Sequence, residues 1–132
     1  MSKHLFVLTC FGIVAAWSMS ADAADTAVAN TVDRESALKS FQRIALNTTP
    51  GDAMMLRILV ESTGAKRGVE IGSATGYGAV QMGIAFERTG GHLYTLEIDP
   101  QMVKQCRGNL QRFGLEETVT CIEGDALKTL AA

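Results

Sequence analysis

The sequence predicts an α/β fold: one half of a doubly wound parallel sheet, with three strands in the order 3-2-1, preceded by two helices. Three observations carry this expectation. From about residue 67 onward, short apolar runs alternate with helical periods. The connections between them are short, as in βαβ units. A glycine or an acid stands at the carboxyl end of each strand, where open parallel sheets place their ligands. At 132 residues, 47% hydrophobic and 20% charged, the chain has the make-up of a single globular domain. A formal net charge of −2 gives no electrostatic reason to expect nucleic acid or an anionic membrane surface as partner, which leaves a small molecule.

The chain opens on an address rather than on a fold. Lys3 and His4 make a short basic start, Leu5 to Trp17 is an almost uninterrupted apolar run, and Ala21-Asp22-Ala23 offers small residues for cleavage. This reads as a secretory signal peptide over 1–23. A helical span needs about 20 apolar residues, so no stable membrane association is expected once the signal is removed. The protein is expected to be exported, to a periplasm or outside the cell, or to stay cytoplasmic if the signal is unused; an uncleaved anchor is the alternative. Residues 24–33 are small and polar without period and read as a flexible N-terminus, so the domain occupies 34–132.

Within the domain, Ala37, Phe41, Ile44 and Ala45 fall at helical spacing and predict a first helix from Arg34. Pro50 starts a second, from about Gly51, which places Met54, Met55, Ile58 and Leu59 on one face and ends at Gly64. The first strand is expected at about 67–71, then a glycine-rich loop and a helix from Tyr77 to about Glu87, closed by Gly90-Gly91. A second strand covers 92–97, and Asp99-Pro100 offers a cap and a first-turn proline for a helix over about 101–113. Gly114 follows where a left-handed cap is wanted. The third strand, 118–123, leads through Gly124-Asp125-Ala126 into a last short helix. Right-handed crossovers set the strand order. After cleavage Cys106 and Cys121 would be the only cysteines; one on a helix and one in a strand read as two buried thiols rather than a disulfide.

Three features at the strand tips carry chemistry. The first is the loop Glu70-Ile71-Gly72-Ser73-Ala74-Thr75-Gly76-Tyr77-Gly78, where glycines allow a sharp strand-to-helix turn and a close ligand approach, and the helix start favours an anionic group. The second is Glu97, whose carboxylate can accept hydrogen bonds from both hydroxyls of a ribose. The third is Gly124-Asp125-Ala126, where an acid or a backbone amide can meet the amino edge of an adenine; it is also an everyday turn. A dinucleotide loop wants G-x-G-x-x-G, whereas these glycines come as G-x-x-x-G-x-G with Ala74 in place of the second glycine. His92, at the start of a strand, reads as structural.

On Val69-Glu70-Ile71-Gly72 with Thr75-Gly76-Tyr77, Leu96-Glu97-Ile98-Asp99-Pro100 and Glu123-Gly124-Asp125-Ala126, the chain resembles the cation-dependent class I O-methyltransferases, the catechol and caffeoyl-coenzyme A group. The similarity runs from about Leu46 to the C-terminus. It implies a Rossmann-like fold, S-adenosylmethionine as cofactor and a small-molecule hydroxyl as acceptor. It further implies that Glu70, Gly72, Ser73 and Gly76 surround the methionine portion, that Glu97 holds the ribose, and that Asp125 with the Ala126 backbone borders the adenine. Gly78 stands where the family usually has serine, and Thr48 matches a cofactor-touching position in the preceding segment. The family's divalent cation, usually magnesium, binds acids beyond a fourth strand, and those positions do not occur in these residues. The sequence therefore predicts the cofactor-binding half of the enzyme, without catalysis by this chain alone, and an exposed sheet edge open to self-association. A non-catalytic nucleoside-binding module and a nicotinamide-dependent oxidoreductase remain as alternatives.

Overall fold

The computed structural model describes residues 34–130; the signal peptide read over 1–23 and the flexible stretch read over 24–33 lie outside the described residues. Helix α1 covers 34–39 within that range. It is followed by α2 (Pro50–Thr63), β1 (Arg67–Ile71), α3 (Tyr77–Thr89), β2 (His92–Glu97), α4 (Pro100–Arg112), β3 (Val119–Glu123) and α5 (Ala126–Thr129).

Local chemistry explains the boundaries. Thr49 caps α2 by accepting from the Asp52 amide at 3.2 Å, Pro50 takes the first turn, and Gly64 closes the helix. Asp99 caps α4 by accepting from the Gln101 and Met102 amides at 2.7 and 3.3 Å. The first helix is shorter than its apolar spacing suggests, because residues 40–49 form turns and loop. Asn47 provides the reason: its Oδ1 accepts from the Ile44 amide at 2.9 Å, while its own amide donates to the Ile44 carbonyl. Such side-chain bonds compete with helix, and Pro50 disfavours helix just before it. Phe41 is buried as expected, but Ile44 and Ala45 are exposed.

The sheet is parallel with β2 in the centre, in the order β1-β2-β3. This is the 3-2-1 arrangement, read from the other edge. Register pairs Ile71 with Leu96 and Glu97 with Glu123, so the three strands end at nearly one level. Two successive right-handed crossovers in one direction place α3 and α4 on the same side of the sheet. Helix α3 is the centre of the core: its residues from Tyr77 through Phe86 are all buried, and Val80 and Phe86 pack in one cluster with Leu93, Val103, Leu110 and Val119. The opposite face of the sheet is open among the described residues. Val69 and Ile71 there are 58% and 65% exposed. On α2 the apolar face carrying Met54, Met55, Ile58 and Leu59 also points outward, and the helix buries Ala53 and Arg57 instead.

Candidate functional site

The loop between β1 and α3 is laid across the tip of β2. The Gly72 and Ser73 amides both donate to the Leu96 carbonyl, at 2.8 and 3.3 Å, and the Gly76 amide donates to the Ser73 carbonyl at 2.8 Å. Gly72 and Gly76 have φ of 85° and 88°, a region that side chains disfavour. Ala74 enters the same region at φ 47° without being glycine. Its amide donates to Glu97 Oε2 at 2.8 Å, which anchors the strained turn to the end of β2.

Glu97 is 9% exposed, and its other oxygen accepts from the Ile98 and Asp99 amides at 2.9 and 3.0 Å. Three amides thus hold the carboxylate in place and use three of its roughly four acceptor positions. Beside it opens a crevice of about 540 Å³, lined by Gly72, Glu97, Asp125 and Ala126 together with the apolar walls of Leu96 and Ile98. Asp125 caps α5 by accepting from the Leu127 amide at 3.0 Å. One strand tip supplies the glycine, the next the buried acid, and the third the capping acid.

A second group gathers over the start of α3. A Cβ on Gly78 would lie 2.5 Å from Glu70 Oε1 and 3.2 Å from Thr48 Oγ1, so Thr48, Glu70 and Gly78 meet at one point and a side chain there would require the Glu70 carboxyl to shift. Thr95, opposite Glu70 in the sheet, donates its hydroxyl to Glu70 Oε2 at 2.5 Å. Burial pushes the Glu70 carboxyl up to about 7; the Thr95 hydroxyl opposes that rise and the charge of Glu97 adds to it.

The structure therefore splits the sequence-derived residues into two neighbouring groups. Gly72, Glu97, Asp125 and Ala126 share the crevice, and Thr48, Glu70 and Gly78 converge beside the helix start. Ser73, expected beside the methionine portion, is buried beneath the loop with its amide bonded to the Leu96 carbonyl, and it is not among the residues lining the crevice. Gly76 starts α3 with Cys106 against it: a Cβ there would sit 2.8 Å from the Cys106 sulfur. Cys106 and Cys121 are both free and buried, and a mutual hydrogen bond together with burial pushes the Cys106 thiol up. His92 begins β2, at the end away from the crevice, and its Nε2 lies 2.8 Å from Thr120 Oγ1.

Several supporting residues were not singled out from the sequence. Thr75 donates to Asn47 at 2.7 Å, and Asn109 donates to the Thr75 carbonyl at 2.8 Å, tying the loop to the preceding segment and to α4. Thr95 could have been found as the polar residue sharing a strand face with Leu93 and Glu97. Among the described residues, no cluster of three or more His, Cys, Asp or Glu side chains is placed to hold a metal ion.

Glycine loop, buried acid and capping acid on three adjacent parallel strand tips lie where open sheets of the doubly wound class place their ligands. The chain belongs to the O-methyltransferase family, whose profile matches residues 18–132. It is 30% identical over 90 residues to O-methyltransferase ankF of Aspergillus thermomutatus, a match covering 68% of this chain and 38% of that protein. It is 31% identical over 86 residues to a catechol O-methyltransferase of Niastella koreensis, covering 65% and 38%. Among solved structures, the O-methyltransferase from Bacillus cereus in complex with SAH superposes with a TM-score of 0.63 at 25% identity, covering 83% of this chain and 53% of that one. The family read from the three motifs is the one these comparisons show. The match spans about two-fifths of the curated relatives' length.

Proposed function

We propose that this chain provides the S-adenosylmethionine-binding half of an O-methyltransferase that acts on a small-molecule hydroxyl of catechol-like type. The observation that carries the reading is the shared crevice: Gly72, Glu97 and Asp125, from three different strand tips, line one cavity of about 540 Å³. That volume lies within the range of roughly 300–1,000 Å³ typical of small-ligand sites.

The residues fit the cofactor in three parts. Glu97 keeps about one acceptor position for a ribose hydroxyl after serving three amides. The apolar walls of Leu96, Ile98, Leu127 and Leu130 suit the faces of a purine, with Asp125 and the Ala126 backbone at its polar edge. Glu70, Thr48 and Gly78 suit the amino-acid end, where a protonated Glu70 would ionise as an ammonium group approached. When bound, S-adenosylmethionine supplies a methyl group activated by the sulfonium. The chain's part is to hold the nucleoside, to orient the methionine end and to exclude water from the apolar side. Magnesium or another divalent cation does not fit the described residues, which offer no cluster of three or more acids, histidines or cysteines. Pairing of this chain with itself along the β1 edge belongs to the same proposal, supported by the exposed Val69 and Ile71.

The test is calorimetric titration of the purified full chain with S-adenosylmethionine, S-adenosylhomocysteine and NAD. Binding of the first two, and not of NAD, is expected. Preference for NAD would replace the assignment with a nicotinamide-dependent one. Cofactor binding without turnover on catechol plus magnesium would assign the chain a binding role alone.

A further inference from the structure

We propose that the cleft between α1, α2 and α3 is a second ligand site, built for a small organic carboxylate with an apolar body. This cleft has a volume of about 400 Å³ and shares no lining residue with the strand-tip crevice. Among the residues lining it is Arg57, on the inward side of α2 and only 8% exposed as a residue.

Arg57 is poorly neutralised for so buried a cation. Its Nε lies 3.4 Å from Glu61 Oε1, and its Nη1 lies 3.4 Å from Gln81 Oε1. Both bonds are longer than the usual range of roughly 2.7–3.2 Å. The same Glu61 oxygen is held more tightly by Arg88, at 2.8 Å. A guanidinium has five donors, and a buried charge is costly unless closely paired. Nothing in the proposed cofactor site uses this group.

The rest of the cleft suits an anion on an apolar frame. Lys39 and Arg43 stand at its rim, with Glu35 as the one acid lining it among the described residues. Arg43 is fixed by stacking 5.4 Å from the centre of the Tyr77 ring and by donating to the Thr48 carbonyl at 3.2 Å. Leu38, Phe41 and Met54 form the apolar walls. A carboxylate can take two parallel bonds from one guanidinium, and a ring attached to it would lie against those walls. Such walls disfavour a small, fully hydrated dianion.

The probes are 2-naphthoate and its neutral counterpart 2-naphthalenemethanol, titrated into the full chain by calorimetry. Naphthoate is expected to bind at least about tenfold more tightly than the alcohol, the low end of what a charge-assisted hydrogen bond contributes. Arg57→Gln should cut that difference to about threefold or less, and Arg43→Gln should weaken naphthoate by about threefold. S-adenosylhomocysteine should not displace naphthoate, which separates this site from the strand-tip crevice. Equal affinity for acid and alcohol would overturn the proposal, as would naphthoate binding unchanged in a folded Arg57→Gln chain. Should that variant fail to fold, the comparison of acid with alcohol and the Arg43→Gln result decide the matter.

Discussion

Replacing Glu70 by glutamine removes the one carboxyl in the site that burial holds protonated near neutrality. Its pKa is raised from 4.5 to about 7, first by desolvation, with the charge of Glu97 adding and the Thr95 hydroxyl opposing. Between those two values the unfolded chain has released the proton while the native chain keeps it. The native state then binds more protons, so stability falls as pH rises through that window and levels off above about 7. The window spans about 2.5 pH units, which corresponds to roughly 3 kcal/mol at 1.36 kcal/mol per unit. Glutamine has the shape of the protonated acid, and its carbonyl oxygen can still accept from Thr95. At pH 5 the variant should be more stable by just under about 1 kcal/mol, and at pH 8 by about 3 kcal/mol. Urea unfolding followed by circular dichroism at both values measures this. Parallel pH slopes in the two chains would refute the argument. The same carboxyl is proposed to meet the cofactor's ammonium group. Parent affinity for S-adenosylmethionine should therefore rise about 10- to 50-fold from pH 5 to 7, below the range in which an α-amino group loses its proton. In the variant that rise should disappear.

Other substitutions probe the frame around the crevice. Glu97→Ala should weaken nucleoside binding by roughly 10- to 100-fold in calorimetry. The same change should lower the unfolding free energy by about 2 kcal/mol or more, because the Ala74, Ile98 and Asp99 amides lose their acceptor. Gly76→Ala combines a backbone at φ 88° with a sulfur 2.8 Å from the new methyl group. It should cost about 2 kcal/mol or more in denaturant unfolding, with cofactor affinity falling alongside. Asp99→Ala removes the cap of α4 and should cost about 1 kcal/mol in the same assay.

The strands and the helices from α2 to α4 were legible because their signals are local. Pro50, Asp99-Pro100 and the glycines that follow each helix act within a turn of their own position. The reading of the first helix failed at Asn47, since nothing in the apolar spacing of Ala37, Phe41 and Ile44 reveals a side chain that takes over a backbone amide. The strand-tip residues were legible for a topological reason: parallel strands in register must bring the ends of β1, β2 and β3 together. Which way a side chain turns from there is a tertiary matter. The strand signal of Glu70 does not disclose that it lies against Gly78 and Thr95 rather than in the crevice with Glu97. Likewise, the apolar spacing of Met54, Met55, Ile58 and Leu59 marks a face of α2, but its packing against α3 leaves that face outside and Arg57 within.

The strand that delivers Glu70 and Gly72 is hydrogen-bonded along only one of its sides among the described residues. β1 also delivers the glycine turn to the crevice, so whatever factor a polypeptide paired with its open side imposed on ligand affinity, the bound ligand would impose on that pairing in turn. Assembly state and cofactor occupancy would then be two readouts of one equilibrium.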